Sequence, residues 1–162
     1  MHCINLILIK KSELRNSKIS TIMDIGNFTI DSPFLELPQN ILAFPTLSKN
    51  SIYKFFGPDI TFVQVSTDYY GGMGDQSASI LKTMSIKKNS DYYKEKSYYE
   101  IKSDFSLSAI DNILKEYGII RKDNLDEFDT INLGKYRKNE DIIDEINKIN
   151  LISEIIKNTK SF

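Results

Sequence analysis

The 162-residue chain carries 21 lysines and arginines against 22 aspartates and glutamates, and 41% of its residues are hydrophobic. This hydrophobic share predicts one folded domain over residues 1–162 and excludes a wholly disordered chain. The formal net charge of −1 provides no general attraction to nucleic acid or membranes. Cys3 is the only cysteine and His2 the only histidine, which excludes an internal disulfide and argues against His-based triads and His-rich metal sites.

Residues 3–9 are mostly apolar and lack clean alternation, which predicts a central strand, since a strand buried on both faces does not alternate. The run is shorter than the roughly 20 apolar residues of a membrane span. It also lacks the basic leading region of a signal peptide. We therefore expect a cytoplasmic protein that makes no membrane contact.

Two weaker segments follow. Residues 20–30 fit a frayed strand or a helix, and Gly26-Asn27 argues against both. Residues 42–46 predict a short strand that ends at Pro45, and residues 50–56 predict a helical turn closed by Gly57-Pro58.

Residues 60–84 hold the strongest pattern in the chain. Ile60, Phe62, Val63 and Val65 predict a largely buried strand. The glycines between positions 71 and 74 then predict a β-hairpin with a loop of four to five residues. A strand–turn–helix remains the alternative, with Asp75 or Ser77 as the helix cap.

The C-terminal half predicts one edge strand and two helices. Tyrosines and lysines between positions 92 and 101 are typical of an edge strand. Apolar spacing predicts a helix over residues 106–117, and an isoleucine stripe predicts a final helix over about 139–157. These isoleucines must be buried, either against the sheet or against a second copy of the chain. The second case would make a homodimer. The whole pattern predicts an α+β or α/β domain, mostly an antiparallel sheet with two or three packed helices.

The segment Gly71 to Gly74 is one candidate site, because consecutive backbone N–H groups can bind a phosphate. However, Asp75-Gln76 stands where a Walker A motif requires a lysine and a hydroxyl residue, and dinucleotide-type glycine spacing is absent. The simpler interpretation is a tight turn that displays its neighbouring side chains.

The carboxylates Asp126, Glu127 and Asp129 are a second candidate, for a divalent cation or an acid–base pair. They do not follow the EF-hand pattern, so an acidic loop before a helix explains them equally well. The mixture of aromatic and basic residues around position 95 is compatible with stacking on single-stranded nucleic acid. Because the chain as a whole is not basic, we expect no direct nucleic-acid binding.

The stretch YYGGMGDQSA, residues 69–78, resembles a Y-F-G-G-x-G-x-Q-x-A motif of small, poorly characterised bacterial proteins. Tyr70 stands where that motif usually has phenylalanine. A helix ending in Gly118, the D-E-F at residues 126–128 and the L-G-x-x-R at residues 133–137 resemble the later pattern of the same family. The likeness covers most of residues 1–140.

Such proteins look like the immunity halves of bacterial toxin–immunity pairs. The resemblance implies a cytoplasmic protein that binds and neutralises one cognate toxin domain, and it does not imply an enzyme. We expect no cofactor and no metal. The expected partner-binding residues are Tyr69, Tyr70, Met73, Asp75, Gln76, Asp126, Glu127, Asp129, Tyr136 and Arg137.

Two interpretations compete with this expectation. In one, the glycine loop and the D-E-F segment simply pack on each other. In the other, the protein is an enzyme or a nucleotide- or metal-binding protein that uses the glycine loop and the nearby carboxylates.

Overall fold

The computed structural model describes residues 2–14, 28–29, 32–71, 73–84 and 97–159. The strands are β1 (His2–Lys10), β2 (Phe28–Thr29), β3 (Ser32–Pro33), β4 (Leu35–Leu37), β5 (Ile41–Phe44), β6 (Thr61–Tyr70), β7 (Met73–Thr83) and β8 (Tyr98–Asp104). The helices are α1 (Ile52–Phe56), α2 (Ala109–Glu116), α3 (Glu127–Thr130) and α4 (Asn139–Thr159). Short 3-10 turns cover Lys11–Leu14, Pro38–Asn40, Lys49–Ser51 and Leu133–Lys135.

Six of these strands form one antiparallel sheet in the order β4-β5-β1-β6-β7-β8. The predicted central strand is confirmed, because β1 lies between β5 and β6 and is buried on both faces from Leu6 to Ile9. β8 ends the sheet, as predicted for the edge strand. The chain therefore adopts an α+β fold, and the strands pair antiparallel as expected.

The predicted hairpin is confirmed, but its loop is shorter than expected. β6 and β7 pair from Thr61 with Lys82 up to Tyr70 with Met73, so two residues join them. Gly71 takes a positive φ of 60° in this turn. The predicted four- to five-residue loop is wrong because Met73 and Gly74 belong to β7, and the strand–turn–helix alternative is wrong for the same reason.

Two apolar cores lie on opposite faces of the sheet. On one face, which we call the helix side, Leu6 and Val65 pack with Ile113 of α2 and Ile146 of α4. On the other face, Ile7, Phe44 and Phe62 pack with Phe56 of α1. The split follows from strand geometry, since successive side chains of a strand point to opposite faces.

The helix predicted over residues 106–117 and the final helix are both confirmed, although α2 begins three residues later than expected. The first half of α4 is anchored by Ile142 and Ile146, whereas every residue from 151 to 159 is exposed. The large apolar side chains exposed there are Leu151, Ile152, Ile155 and Ile156. The homodimer through this helix stays a prediction.

Some predictions fall beyond the described residues. These are most of the segment 20–30 and the tyrosines at positions 92 and 93. Among the helices that the structure describes, none is long and apolar enough to cross a membrane.

Candidate functional site

A cavity of about 350 Å³ opens on the helix side, beside the end of the β6–β7 hairpin. β1 and β6 supply one wall, and the starts of α2 and α3 supply the other. Its lining includes His2, Thr67, Tyr69, Asp111, Asp126 and Phe128. These residues are far apart in the chain, and the antiparallel pairing of β1 with β6 brings the first three together.

The only histidine forms one side of this cavity. His2 Nδ1 lies 2.8 Å from Thr67 Oγ1, and the Ile4 backbone N–H donates to the same hydroxyl oxygen at 3.0 Å. The tautomer of the His2 ring decides which of the two side chains donates in the bond to Thr67. Burial lowers the pKa of His2, assisted by the positive charges of the N-terminus and Arg137 and opposed by a hydrogen bond to the Tyr136 backbone. The ring therefore favours the uncharged form.

Two carboxylates form the opposite side of the cavity. Asp111 Oδ1 accepts from the Phe128 N–H at 3.1 Å, which ties α2 to α3. Asp126 caps α3, and its Oδ1 accepts from the Asp129 N–H at 2.8 Å. Burial raises the pKa of Asp111, and the neighbouring charges of Asp126, Glu127 and Asp129 raise it further, whereas the Phe128 N–H lowers it.

Gln76 lies at the edge of the cavity, and its amide bonds internally. Its Nε2 donates to the Leu107 carbonyl at 2.6 Å and to the Tyr69 hydroxyl at 2.9 Å. Its Oε1 accepts from the Ile110 N–H at 2.9 Å. The side chain expected to contact a partner therefore holds the start of α2 against the hairpin.

Two expected contact residues are not displayed. Tyr136 is only 8% exposed, because the 3-10 turn Leu133–Lys135 directs its ring into the helix-side core. Glu127 is 7% exposed at the start of α3, whereas the nearby Asp126 and Asp129 are exposed. Their prediction as surface anchors is wrong.

Arg137 and Asp129 are exposed but have local structural roles. The Arg137 N–H donates to Asp141 Oδ2 at 2.9 Å, and its carbonyl accepts from the Cys3 N–H at 2.6 Å. Among the described residues no carboxylate lies within ion-pair distance of its guanidinium. The Asp129 carboxylate lies directly against Gly134, where an added Cβ would come within 1.9 Å of Oδ1.

The other expected residues lie on the opposite face of the sheet. Tyr70 and Met73, which pair across the strands, are 77% and 80% exposed. Two pairs further along, on the same face, the exposed Asp68 and Asp75 stand opposite each other. Phe105 is 78% exposed and borders, with both aspartates, a shallow depression of about 390 Å³. We call Asp68, Tyr70, Met73, Asp75 and Phe105 the tip face.

The structure thus places six of the ten expected residues on two separate surfaces, whereas Glu127, Asp129, Tyr136 and Arg137 belong to neither. Tyr69, Gln76 and Asp126 lie at the cavity, whereas Tyr70, Met73 and Asp75 lie on the tip face. Sequence reasoning missed His2, Thr67 and Asp111 in the cavity and Asp68 and Phe105 on the tip face. Asp68 could have been identified from the sequence, because a two-residue turn at 71–72 places it opposite Asp75.

The geometry gives little support to the two remaining candidate sites, the phosphate-binding loop and the metal site. Met73 and Gly74 extend β7, so the predicted phosphate loop over residues 71–74 does not form as a loop. Within the described ranges no group of three or more His, Cys, Asp or Glu residues is placed to hold a metal ion. Comparison with known proteins finds no matching family model, no matching curated protein and no matching solved structure.

Proposed function

We propose that this protein is an immunity protein that binds a cognate bacterial toxin through the tip face and neutralises it. The observation that carries the proposal is the exposure of Tyr70 and Met73 at the end of a rigid ten-residue strand pair. Aromatic side chains and methionine are enriched at protein–protein interfaces, and an isolated hairpin end has no internal need for them. The resemblance of residues 69–78 to the immunity-type motif includes the same hairpin, and Tyr70 occupies one of the aromatic positions of that motif.

The charge of the tip face indicates the chemistry of the partner. Asp68 and Asp75 are directly opposite across the strands, and like charges in that position disfavour strand pairing. A lysine or arginine of the partner, placed between them, would relieve this repulsion. We therefore propose a basic toxin surface, which the acidic tip face would also attract over a distance.

The function is tested by co-expressing the protein with the product of the adjacent gene. The expected results are relief of that product's toxicity and a complex that survives affinity purification. If no toxicity is relieved and no partner is retained, the proposal is wrong.

The surface is tested separately, with variants of the same complex. The double variant Tyr70→Ala/Met73→Ala is expected to weaken binding by about 2 kcal/mol or more, which is roughly thirtyfold in Kd. The charge reversal Asp68→Lys/Asp75→Lys is expected to slow association and to change its salt dependence. Ile120→Ala is the matched control, because Ile120 is 76% exposed and lies beyond α2, away from the hairpin. Equal binding by all variants would refute the tip face as the contact.

The competing function, an enzyme or a nucleotide- or metal-binding protein, has a different signature. A ligand that binds only the folded state adds roughly 2.7 kcal/mol of stability at a hundredfold excess over its dissociation constant. A thermal-shift screen with nucleotides and divalent cations therefore separates the two functions. A large nucleotide- or cation-dependent shift would favour the competing function.

A further inference from the structure

We propose that the helix-side cavity binds a guanidinium group carried on an apolar stem, held between the carboxylates of Asp111 and Asp126. The cavity opens on the face of the sheet opposite to the tip face. It is therefore a separate surface from the tip face proposed above as the toxin contact.

The cavity has the size and the walls of a small-ligand site. Its volume of about 350 Å³ lies at the lower end of the range for such sites. Ile110 and the rings of Phe128, Tyr69 and His2 provide apolar and aromatic walls. The His2 and Phe128 ring centroids are 5.9 Å apart and tilted by 59°. Walls of this kind suit a methylene stem and the flat face of a guanidinium.

The two carboxylates at the cavity are hydrogen-bond acceptors with spare capacity. One oxygen of Asp111 and one oxygen of Asp126 each accept a backbone N–H. Among the described residues no donor reaches the second oxygen of either carboxylate. A guanidinium has five N–H donors in one plane, so it can bond to both carboxylates at once.

The charge of the lining selects a cation over an anion. No lysine or arginine is among the lining residues, and the two aspartates face a histidine whose pKa is lowered by burial. The raised pKa of Asp111 reflects burial and the surrounding carboxylates, and a bound cation would offset both effects. A guanidinium is less strongly hydrated than an ammonium and stacks on aromatic rings, so it fits this half-apolar cavity better.

The test is a titration of the full chain with three probes of similar length, followed by amide chemical shifts in NMR. The probes are N-butylguanidinium, its neutral isostere N-butylurea, and pentylammonium. N-butylguanidinium is expected to produce saturable shifts at Thr67, Ile110, Asp111 and Phe128, and the urea none. Absence of saturable shifts, or equal shifts with the urea, would overturn the proposal. Equal affinity for pentylammonium would overturn the preference for guanidinium.

Two conservative variants test the carboxylates while keeping the fold. In Asp111→Asn and Asp126→Asn the amide oxygen still accepts the Phe128 or Asp129 N–H. Each is expected to weaken N-butylguanidinium binding about tenfold or more. Asp144→Asn, an exposed carboxylate on α4 outside the cavity and the tip face, is the control and is expected to leave the affinity unchanged. Unchanged affinity in both cavity variants would refute the assignment.

The guanidinium can be carried by a small molecule or by an arginine of a partner protein. Competition between N-butylguanidinium and the co-purified partner separates these sources. Displacement of the partner identifies an arginine side chain, whereas simultaneous binding identifies a small molecule. Either result supports a guanidinium site, and a probe that fails to bind the protein without its partner contradicts it.

Discussion

The side chain of Asn139 continues the sheet alongside Asn5 where β5 ends. The Asn5 backbone N–H donates to Asn139 Oδ1 at 2.9 Å, and Asn139 Nδ2 donates to the Asn5 carbonyl at 2.7 Å and to the Pro45 carbonyl at 2.8 Å. β5 pairs with β1 only from Ile7 onward, so Asn5 has no strand partner on that side. The first residue of α4 therefore replaces a strand and anchors the helix to the sheet.

We predict that Asn139→Ala destabilises the protein by about 1–3 kcal/mol, because it leaves three backbone groups without this partner. Urea unfolding at neutral pH measures the change. Asn147→Ala is the matched control, since Asn147 is exposed in the middle of the same helix and is expected to change stability by less than about 0.5 kcal/mol. Equal effects of the two variants would contradict the role given to Asn139.

A second long-range connection is made by the hydroxyl of Tyr117. It accepts the Lys10 N–H at 3.0 Å and donates to the Thr61 carbonyl at 2.8 Å, so it joins the end of α2 to β1 and β6. We predict that Tyr117→Phe costs about 1–3 kcal/mol, because two backbone groups lose their partner while the ring packing is kept. Tyr70→Phe removes an exposed hydroxyl and is expected to be nearly neutral by comparison. Similar unfolding midpoints for both variants would refute the prediction.

Local patterns predicted the elements well where burial dominates. β1, β6, α2 and the first half of α4 each carry enough apolar residues at the right period for their position in the sheet or the helix layer to follow. The length of the β6–β7 loop was predicted wrongly because a glycine can serve either a turn or a strand. Gly71 provides a positive φ for the turn, whereas Gly74 permits close approach of the paired strand.

The candidate site was harder to predict from the sequence, because it depends on contacts between distant segments. His2 and Thr67 are 65 residues apart and meet only through the register of β1 with β6. Tyr136 stands among charged residues in the sequence, which suggested exposure, but the turn before it directs the ring inward. A surface role for a tyrosine depends on tertiary packing, and the residue type alone does not determine it.

Gly71 and Gly74 of the hairpin are expected to respond differently to substitution. A Cβ at Gly74 would lie 1.9 Å from the Asp68 carbonyl oxygen and 2.6 Å from the Tyr69 Cα, both of them backbone atoms. Gly71 has no atom within 4 Å of that position, and its φ of +60° is one that asparagine tolerates. We predict that Gly74→Ala costs more than about 2 kcal/mol and that Gly71→Asn costs less than about 1 kcal/mol. Thermal unfolding of both variants measures the difference, and the reverse order would contradict the backbone contact.

Asp111 gives the stability a pH dependence of unusual sign for a carboxylate. Its folded pKa is raised, chiefly by burial, so its contribution to the free energy of unfolding is fully present below the unfolded pKa of about 3.9. That contribution is lost as the pH rises through the folded pKa. Asp111→Asn keeps the acceptor for Phe128 but cannot ionise, so we predict that it gains stability over the native protein as the pH rises through this window.

Asp104 is the control, because its lowered pKa predicts a pH dependence of stability with the opposite sign. The Ser106 hydroxyl, the Ser106 N–H and the Asn112 amide lower the pKa of Asp104, so its contribution is present above the unfolded pKa and is lost as the pH falls through the folded pKa. Asp104→Asn should therefore lose stability relative to the native protein at neutral pH, while Asp111→Asn gains it. Urea unfolding of the three proteins between about pH 3 and pH 7 tests both signs, across the range in which carboxylates titrate. A pH-independent difference between Asp111→Asn and the native protein would refute the burial of that carboxylate against its acidic neighbours.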